Sequence, residues 1–287
     1  MSKGPLITVF STIFFALMGL TIKILSPQVS SEAVVFYRVF VSLIIMLALL
    51  IIRKQKIKII NWPALITRAV FGTLALFFFF KSIALLSLGE ATMLCYTYPL
   101  FASLLAAIYS EERISPGEWA AVAVSLAGIV LIVNPTLSFH IKTGYIYGIL
   151  SGIFAGIAIF SMKIARKTED SITIVLVFML IASVLTFPFY VKSGIKSALP
   201  FLPILFAIGL FGAIAQILIT YAYKFCRVVV CSTLSLLVVV FSILLDILVR
   251  GEYYSAVSLV GIFLVLSANV YISLNPIKQR AKTIIPL

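Results

Sequence analysis

The sequence predicts an all-α polytopic membrane protein, with ten transmembrane helices as two inverted five-helix repeats. Three observations predict it. First, 63% of the 287 residues are hydrophobic and only 11% charged, with a mean hydropathy of +1.22. A soluble domain averages about 45–50% apolar and about 25% charged. So few charges cannot cover a globule of this composition in water, which excludes an ordinary soluble, a disordered or a collagen-like chain. Second, the chain contains ten apolar runs of about 20 residues, the length that crosses a hydrocarbon core. Third, residues recur at an offset of 140. Gly4, Ser11, Phe14 and Lys23 meet Gly144, Ser151, Phe154 and Lys163; Phe71, Gly72 and Ala75 meet Phe211, Gly212 and Ala215; Glu112 and Ser115 meet Glu252 and Ser255. Five spans per half is an odd number, so the second half enters the membrane from the opposite face.

The elements follow in order. The first span, 5–25, lacks a small-residue cleavage site, carries Lys23 near its end and is read as a helix, not a signal peptide. The second, 33–52, holds Arg38 about five residues in, roughly 7 Å at 1.5 Å per residue. The third, 64–86, begins near Arg68 and ends near Lys81. The fourth, 89–109, is interrupted by Pro99, which deprives the Cys95 carbonyl of its usual partner. The fifth runs over 116–134. In the sixth, 144–164, Gly144, Gly148, Gly152 and Gly156 recur every four residues on one face. That stripe suits static packing, a sliding surface, or both. The seventh is 171–190. The eighth, 201–223, places Gln216, Thr220 and Tyr223 on one face. The ninth, 228–249, has Val239 where its partner has Pro99, and carries Asp246. The tenth, 255–274, contains Asn269, whose expected role is packing. Ten spans take about 210 residues, which leaves no room for a soluble domain. The halves are 1–136 and 144–275, followed by a basic tail, 276–287.

Twenty-two Lys and Arg against nine Asp and Glu give +13. With the N-terminus cytoplasmic, the inner segments hold Lys3, the Arg53–Lys58 cluster, Arg113, Lys163, Arg166, Lys167, Lys224, Arg227 and the basic tail. The outer loops hold only Lys142, Lys192, Lys196 and Arg250. This bias places both termini in the cytoplasm and accounts for the charge without nucleic acid. Cys95, Cys226 and Cys231 form no C-x-x-C pair and read as buried thiols. No metal-ligand set and no cofactor motif is present. His140, in an outer loop, reads as solvated.

Ionisable groups within spans are functional candidates. Arg38 suits a substrate carboxylate or phosphate, or a structural pair with Asp246 or Glu90. Lys81 either faces substrate or extends to the headgroups. Asp246 and Glu90 are the candidates for ion coupling. Tyr96, Tyr98 and Pro99 form a candidate binding strip at the break, with Gln216 and Tyr223 across from it. Glu112 and Glu252, at matching positions, read as caps of the following helices.

The stretch Ala91-Thr92, Tyr98-Pro99-Leu100-Phe101 and Ser110-Glu111-Glu112-Arg113-Ile114-Ser115, followed by Gly128, resembles the drug/metabolite transporter superfamily, and within it the EamA-type family. Phe36-Tyr37-Arg38 resembles that family's second-helix arginine, and Lys23 its first-helix lysine. Arg68 to Gly72 followed by Phe79 to Ala84 resembles a third-helix pattern of bacterial members. The resemblance implies a secondary transporter of a small organic metabolite, such as an amino acid or derivative or S-adenosylmethionine; the compact loops suit a bacterial inner membrane, without excluding an organelle. It also implies a four-helix bundle from each half around a central cavity, with the fifth and tenth helices peripheral. A homodimer is left open, as is the alternative of a channel or scaffold. An enzyme is not expected: no H-E-x-x-H or G-x-S-x-G occurs.

Overall fold

The computed structural model describes residues 3–25, 28–54, 57, 59–83, 85, 88–110, 114–133, 143–193, 195–251 and 255–274. Among these the ordered elements are helical. They are α1 (Lys3–Leu25), α2 (Ser31–Ile52), α3 (Trp62–Ile83), α4 (Leu88–Cys95), α5 (Tyr98–Tyr109), α6 (Pro116–Val133), α7 (Thr143–Ala165), α8 (Ser171–Ser193), α9 (Leu202–Ala222), α10 (Val228–Leu234), α11 (Leu237–Arg250) and α12 (Ala256–Leu274). Their starts are set by short polar side chains. Ser30 caps α2, Asn61 caps α3, Asp170 caps α8 and Ser255 caps α12, each accepting from a backbone N–H two or three residues on.

Eight stretches are long and apolar enough to cross a membrane, and α4–α5 and α10–α11 each make up one of them. The fifth and tenth expected spans are the shorter apolar helices, Pro116–Ile132 and Ala256–Ile272. These two pack on each other at glycines. A Cβ on Gly128 would stand 2.7 Å from the Gly261 carbonyl, and one on Gly261 2.9 Å from Ile132 N. Backbones this close tolerate no side chain between them.

The fourth span breaks where Pro99 predicts. Pro99 opens α5, and Thr97 Oγ1 turns back to the Leu94 carbonyl at 2.6 Å. The ninth span breaks at the equivalent place, between Leu234 and Leu237, without a proline. Here hydroxyls do the work. Ser232, Thr233 and Ser235 donate to the carbonyls of Val228, Val229 and Cys231 at 2.7, 2.7 and 2.8 Å. Such back-bonding competes with the helical ladder.

The two halves interleave, and this corrects the expectation of one bundle per half. α1 packs along α9, α3 along α7, α2 along α8 and α9, and the broken helices against α7 and α1. The small-residue faces of α1 and α7 seek the nearest backbone, and that backbone belongs to the other half. Contacts recur at the offset of 140. Ser11 Oγ donates to the Ala215 carbonyl at 2.9 Å, and Ser151 Oγ to that of Ala75 at 3.0 Å. Phe14 meets Phe211 with ring centroids 6.4 Å apart, and Phe154 meets Phe71 at 5.6 Å.

Candidate functional site

The two breaks meet at the centre, where α5 packs on α10. The Tyr98 hydroxyl lies within hydrogen-bond reach of Ser235, and the Cys95 thiol within reach of Ser151. The Tyr96 and Tyr98 rings have centroids 6.1 Å apart. The glycine stripe of α7 seats this break. A Cβ on Gly148 would lie 2.7 Å from Leu94 Cβ, one on Gly152 2.8 Å from the Leu94 carbonyl, and one on Gly156 2.6 Å from Phe101 Cβ. The stripe is therefore a bed for the discontinuous helix.

Arg38 reaches this centre from α2, within electrostatic range of Tyr96 and Cys95. Its stem runs past Gly212 of α9: a Cβ there would stand 3.5 Å from Arg38 Cγ and 3.7 Å from its Nε. Arg68 joins it from α3. It is 6% exposed, its guanidinium sits 4.1 Å from the centroid of the Phe178 ring, and it lies within electrostatic range of Arg38 and Tyr223. Neither Nε has a hydrogen-bond partner among the described residues.

A cavity of about 600 Å³ lies between α2, α3 and α8, and neither Arg38 nor Arg68 is among its lining residues. Of its lining residues, Ser31, Glu32, Lys81 and Phe189 are exposed and Val35 and Thr73 are buried, with Phe77 and Thr186 between. Val35 is one turn from Arg38, and Thr73 follows Gly72, against which the Arg68 side chain lies.

The structure thus brings Arg38, Tyr96, Tyr98 and Pro99 together. Lys81 stays apart, exposed in the cavity lining with Nζ 5.5 Å from the Phe77 centroid. Gln216 is buried on α9, one turn beyond Gly212. Thr220 is turned back to the Gln216 carbonyl at 2.7 Å and to Met162 Sδ at 3.3 Å. Tyr223 is fully buried as the C-cap of α9, within electrostatic range of Arg68. Asn269 donates to the Val265 carbonyl at 2.7 Å on α12, as a packing residue would. The side chains of Asp246 and Glu90, and the residues Glu112, Glu252 and His140, lie outside the described residues.

The sequence named Arg68 only as part of a third-helix pattern and not as a site candidate. Its only signal was a guanidinium within an apolar run. A set of ties at the opposite end of the bundle was likewise not singled out. Glu118 forms a Ser-x-x-Glu capping box with Ser115, accepting from Ser115 N at 2.7 Å, and pairs with Arg227 at 2.5 Å. Glu169 Oε1 accepts from Ile60 N and Asn61 N, both at 2.7 Å, at the start of α3. Arg166 donates to the Glu169 carbonyl; burial pushes its guanidinium down from the ordinary value, opposed by Asp170. Lys163 Nζ donates to the carbonyls of Tyr223 and Cys226 at 2.9 and 2.6 Å, a cation at the C-terminus of α9. The cavity end carries inter-half contacts of its own, neither of them an ion pair: the Tyr37 and Tyr190 hydroxyls lie 3.0 Å apart and Ser82 Oγ donates to the Gly144 carbonyl at 3.0 Å.

Long apolar helices, contacts repeated between two halves and paired breaks beside buried charges define a two-repeat, multi-pass membrane protein of the transporter kind. The EamA-like transporter family matches residues 2–134 and again 142–274, and the chain belongs to that family. The chain is 26% identical to the pseudopaline exporter CntI of Pseudomonas aeruginosa, over 78% of this chain and 79% of the exporter. It is 23% identical to the S-adenosylmethionine uptake transporter of Rickettsia bellii, over 91% of this chain and 90% of that protein. A crystal structure of a protein 17% identical in sequence superposes with a TM-score of 0.82, covering 96% of this chain and 99% of that one. The protein is a small-molecule transporter.

Proposed function

We propose that this protein is a secondary, alternating-access transporter of a small organic metabolite. The observation that carries the reading is the pair of helix breaks meeting at the contact of α5 with α10, in a bundle whose halves interleave. Discontinuous helices between inverted repeats are where transporters place their substrates. The ten-span inverted arrangement, with α6 and α12 as its short peripheral spans, and a bacterial inner membrane with cytoplasmic termini agree with the basic bias of the tied end. The sequence halves 1–136 and 144–275 are the two inverted units, and 276–287 is a cytoplasmic tail. Relatives named for export and for uptake share the scaffold, so net direction follows the gradients.

Locking the tied end tests the mechanism. A ligand is first found by its rise in melting temperature across amino acids, nucleosides, S-adenosylmethionine, flavins and organic acids. Glu118→Cys with Arg227→Cys, with the native cysteines replaced by serine, is then crosslinked by a short bis-maleimide in proteoliposomes. Flux of that ligand is expected to stop in the double variant and persist in each single one. Full flux through crosslinked protein would falsify alternating access here.

Asp246 and Glu90 are proposed as coupling carboxylates, since a carboxylate within a span is the natural proton carrier. Asp246→Asn is expected to abolish uptake driven by a pH gradient while sparing exchange. Unchanged gradient-driven uptake in that variant removes Asp246 from the coupling step.

A further inference from the structure

Two guanidinium groups, both from the first half, are buried in the bundle interior beyond the lining of the cavity. Arg38 arrives along Gly212 and Arg68 over Phe178, each within electrostatic range of the other. The offset of 140 shows how deliberate the asymmetry is. Gly212 is the equivalent of Gly72, and Phe178 the equivalent of Arg38. The contact of Arg38 with Gly212 on one side is thus repeated as Phe178 with Gly72 on the other. The equivalent of Arg68 is Ile208. The second half supplies an aromatic and an aliphatic group where the first supplies charge.

Among the described residues no carboxylate pairs with either arginine, and each leaves its Nε without a partner. Uncompensated charge inside a bundle is strongly unfavourable, and two like charges add repulsion. Arg is also the side chain whose planar fork matches carboxylate and phosphate oxygens. Tyr96, within electrostatic range of Arg38, adds a hydroxyl that can donate to the same oxygens.

We propose that Arg38 and Arg68 form one oxyanion-binding pair, and that the transported metabolite carries a carboxylate or phosphate group which this pair neutralises. This rests on the transporter reading above and names its substrate class. Phe178 holds Arg68 in place from the ring face, so it is a positioning residue.

The test uses purified full-length protein in detergent, with succinate, glutamate, 3-phosphoglycerate, lysine, glucose and phosphatidylglycerol as separate additions. Saturable rises in melting temperature are expected from the oxyanions, with carboxylates and phosphate ranked by the relative size of their shifts. Arg38→Gln or Arg68→Gln is expected to raise the half-saturating concentration at least about tenfold, and Arg38→Lys by less. Without ligand, both Gln variants are expected to melt at or above the wild-type temperature, because each removes a charge that awaits its partner. Ligand-free Gln variants that both melt well below wild type would show the arginines neutralised within the protein, and would overturn the proposal. So would shifts confined to lysine or glucose, or oxyanion shifts indifferent to both substitutions. A response to phosphatidylglycerol alone would assign the pair to a lipid headgroup and overturn the substrate assignment. Flux in proteoliposomes separates this proposal from the one it rests on. Lysine carried equally well by both Gln variants overturns the anion assignment and leaves transport standing. An oxyanion bound through both arginines but never carried leaves the site standing and removes the transport reading.

Discussion

Gly152→Leu is expected to reduce flux roughly a hundredfold or more, while Gly152→Ala falls between it and wild type. A Cβ at this position would stand 2.8 Å from the Leu94 carbonyl oxygen and 3.5 Å from that of Cys95. The first distance is below any real Cβ contact, and its partner is backbone, which has no rotamer to yield. These carbonyls border the break, and Pro99 cannot donate to the Cys95 carbonyl. Overpacking at a buried site costs about 1–3 kcal/mol and sometimes more. At about 3 kcal/mol the working arrangement of α4 and α5 would lose about two orders of magnitude in population. Proteoliposome flux, with size-exclusion elution checking that the variant is folded, makes the measurement. A folded Leu variant with flux within about threefold of wild type would show that the break tolerates displacement from α7, and that the stripe serves static packing.

Much of this architecture was legible because one-dimensional signals survive folding. The offset of 140 was read from residues such as Ser11 with Ser151 and Ala75 with Ala215, and those four are the donors and acceptors of the repeated hydrogen bonds. Arg38 stood out since a guanidinium well inside an apolar run is rare, and Pro99 since it removes a donor. The second break was not legible in the same way. Its signal is the run Ser232-Thr233-Leu234-Ser235, whose hydroxyls turn onto the preceding turn; that pattern is also common in unbroken helices. Arg68 was not singled out as a site residue because span boundaries are uncertain by a few residues, enough to move a side chain between headgroups and interior. The interleaving of the halves lay beyond the sequence altogether. A stripe of small residues says which face of a helix is approached closely, not which helix approaches it. Gly148, Gly152 and Gly156 proved to face the broken helix of the other half.

The second large effect concerns the tied end. Removing both carboxylates there, Glu118→Ala with Glu169→Ala, is expected to lower stability by about 4 kcal/mol and to open this end of the bundle. Glu118 is 8% exposed and its partner Arg227 19%, so the pair is largely out of water. Its loss removes the ion pair to Arg227 and the acceptor of the Ser115 N–H together, which costs about 2 kcal/mol after allowance for the exposure of Arg227. Glu169 is 4% exposed and serves two backbone N–H groups at the start of α3. Leaving those donors without an acceptor costs about 2 kcal/mol more. The ties share no partner, so their effects add. Both join the second half to the first, and in alternating access both must release before this end opens. Cys95, half-buried at the central break, reports that opening. With Cys226 and Cys231 replaced by serine, its labelling by an impermeant maleimide in inside-out vesicles is expected to rise at least tenfold in the double variant, about what 1.4 kcal/mol of population shift provides. A lowered melting temperature with unchanged labelling would mean that the carboxylates hold the fold together but do not gate the path. The gate would then have to lie in the packing of α5 on α10, where the two breaks meet.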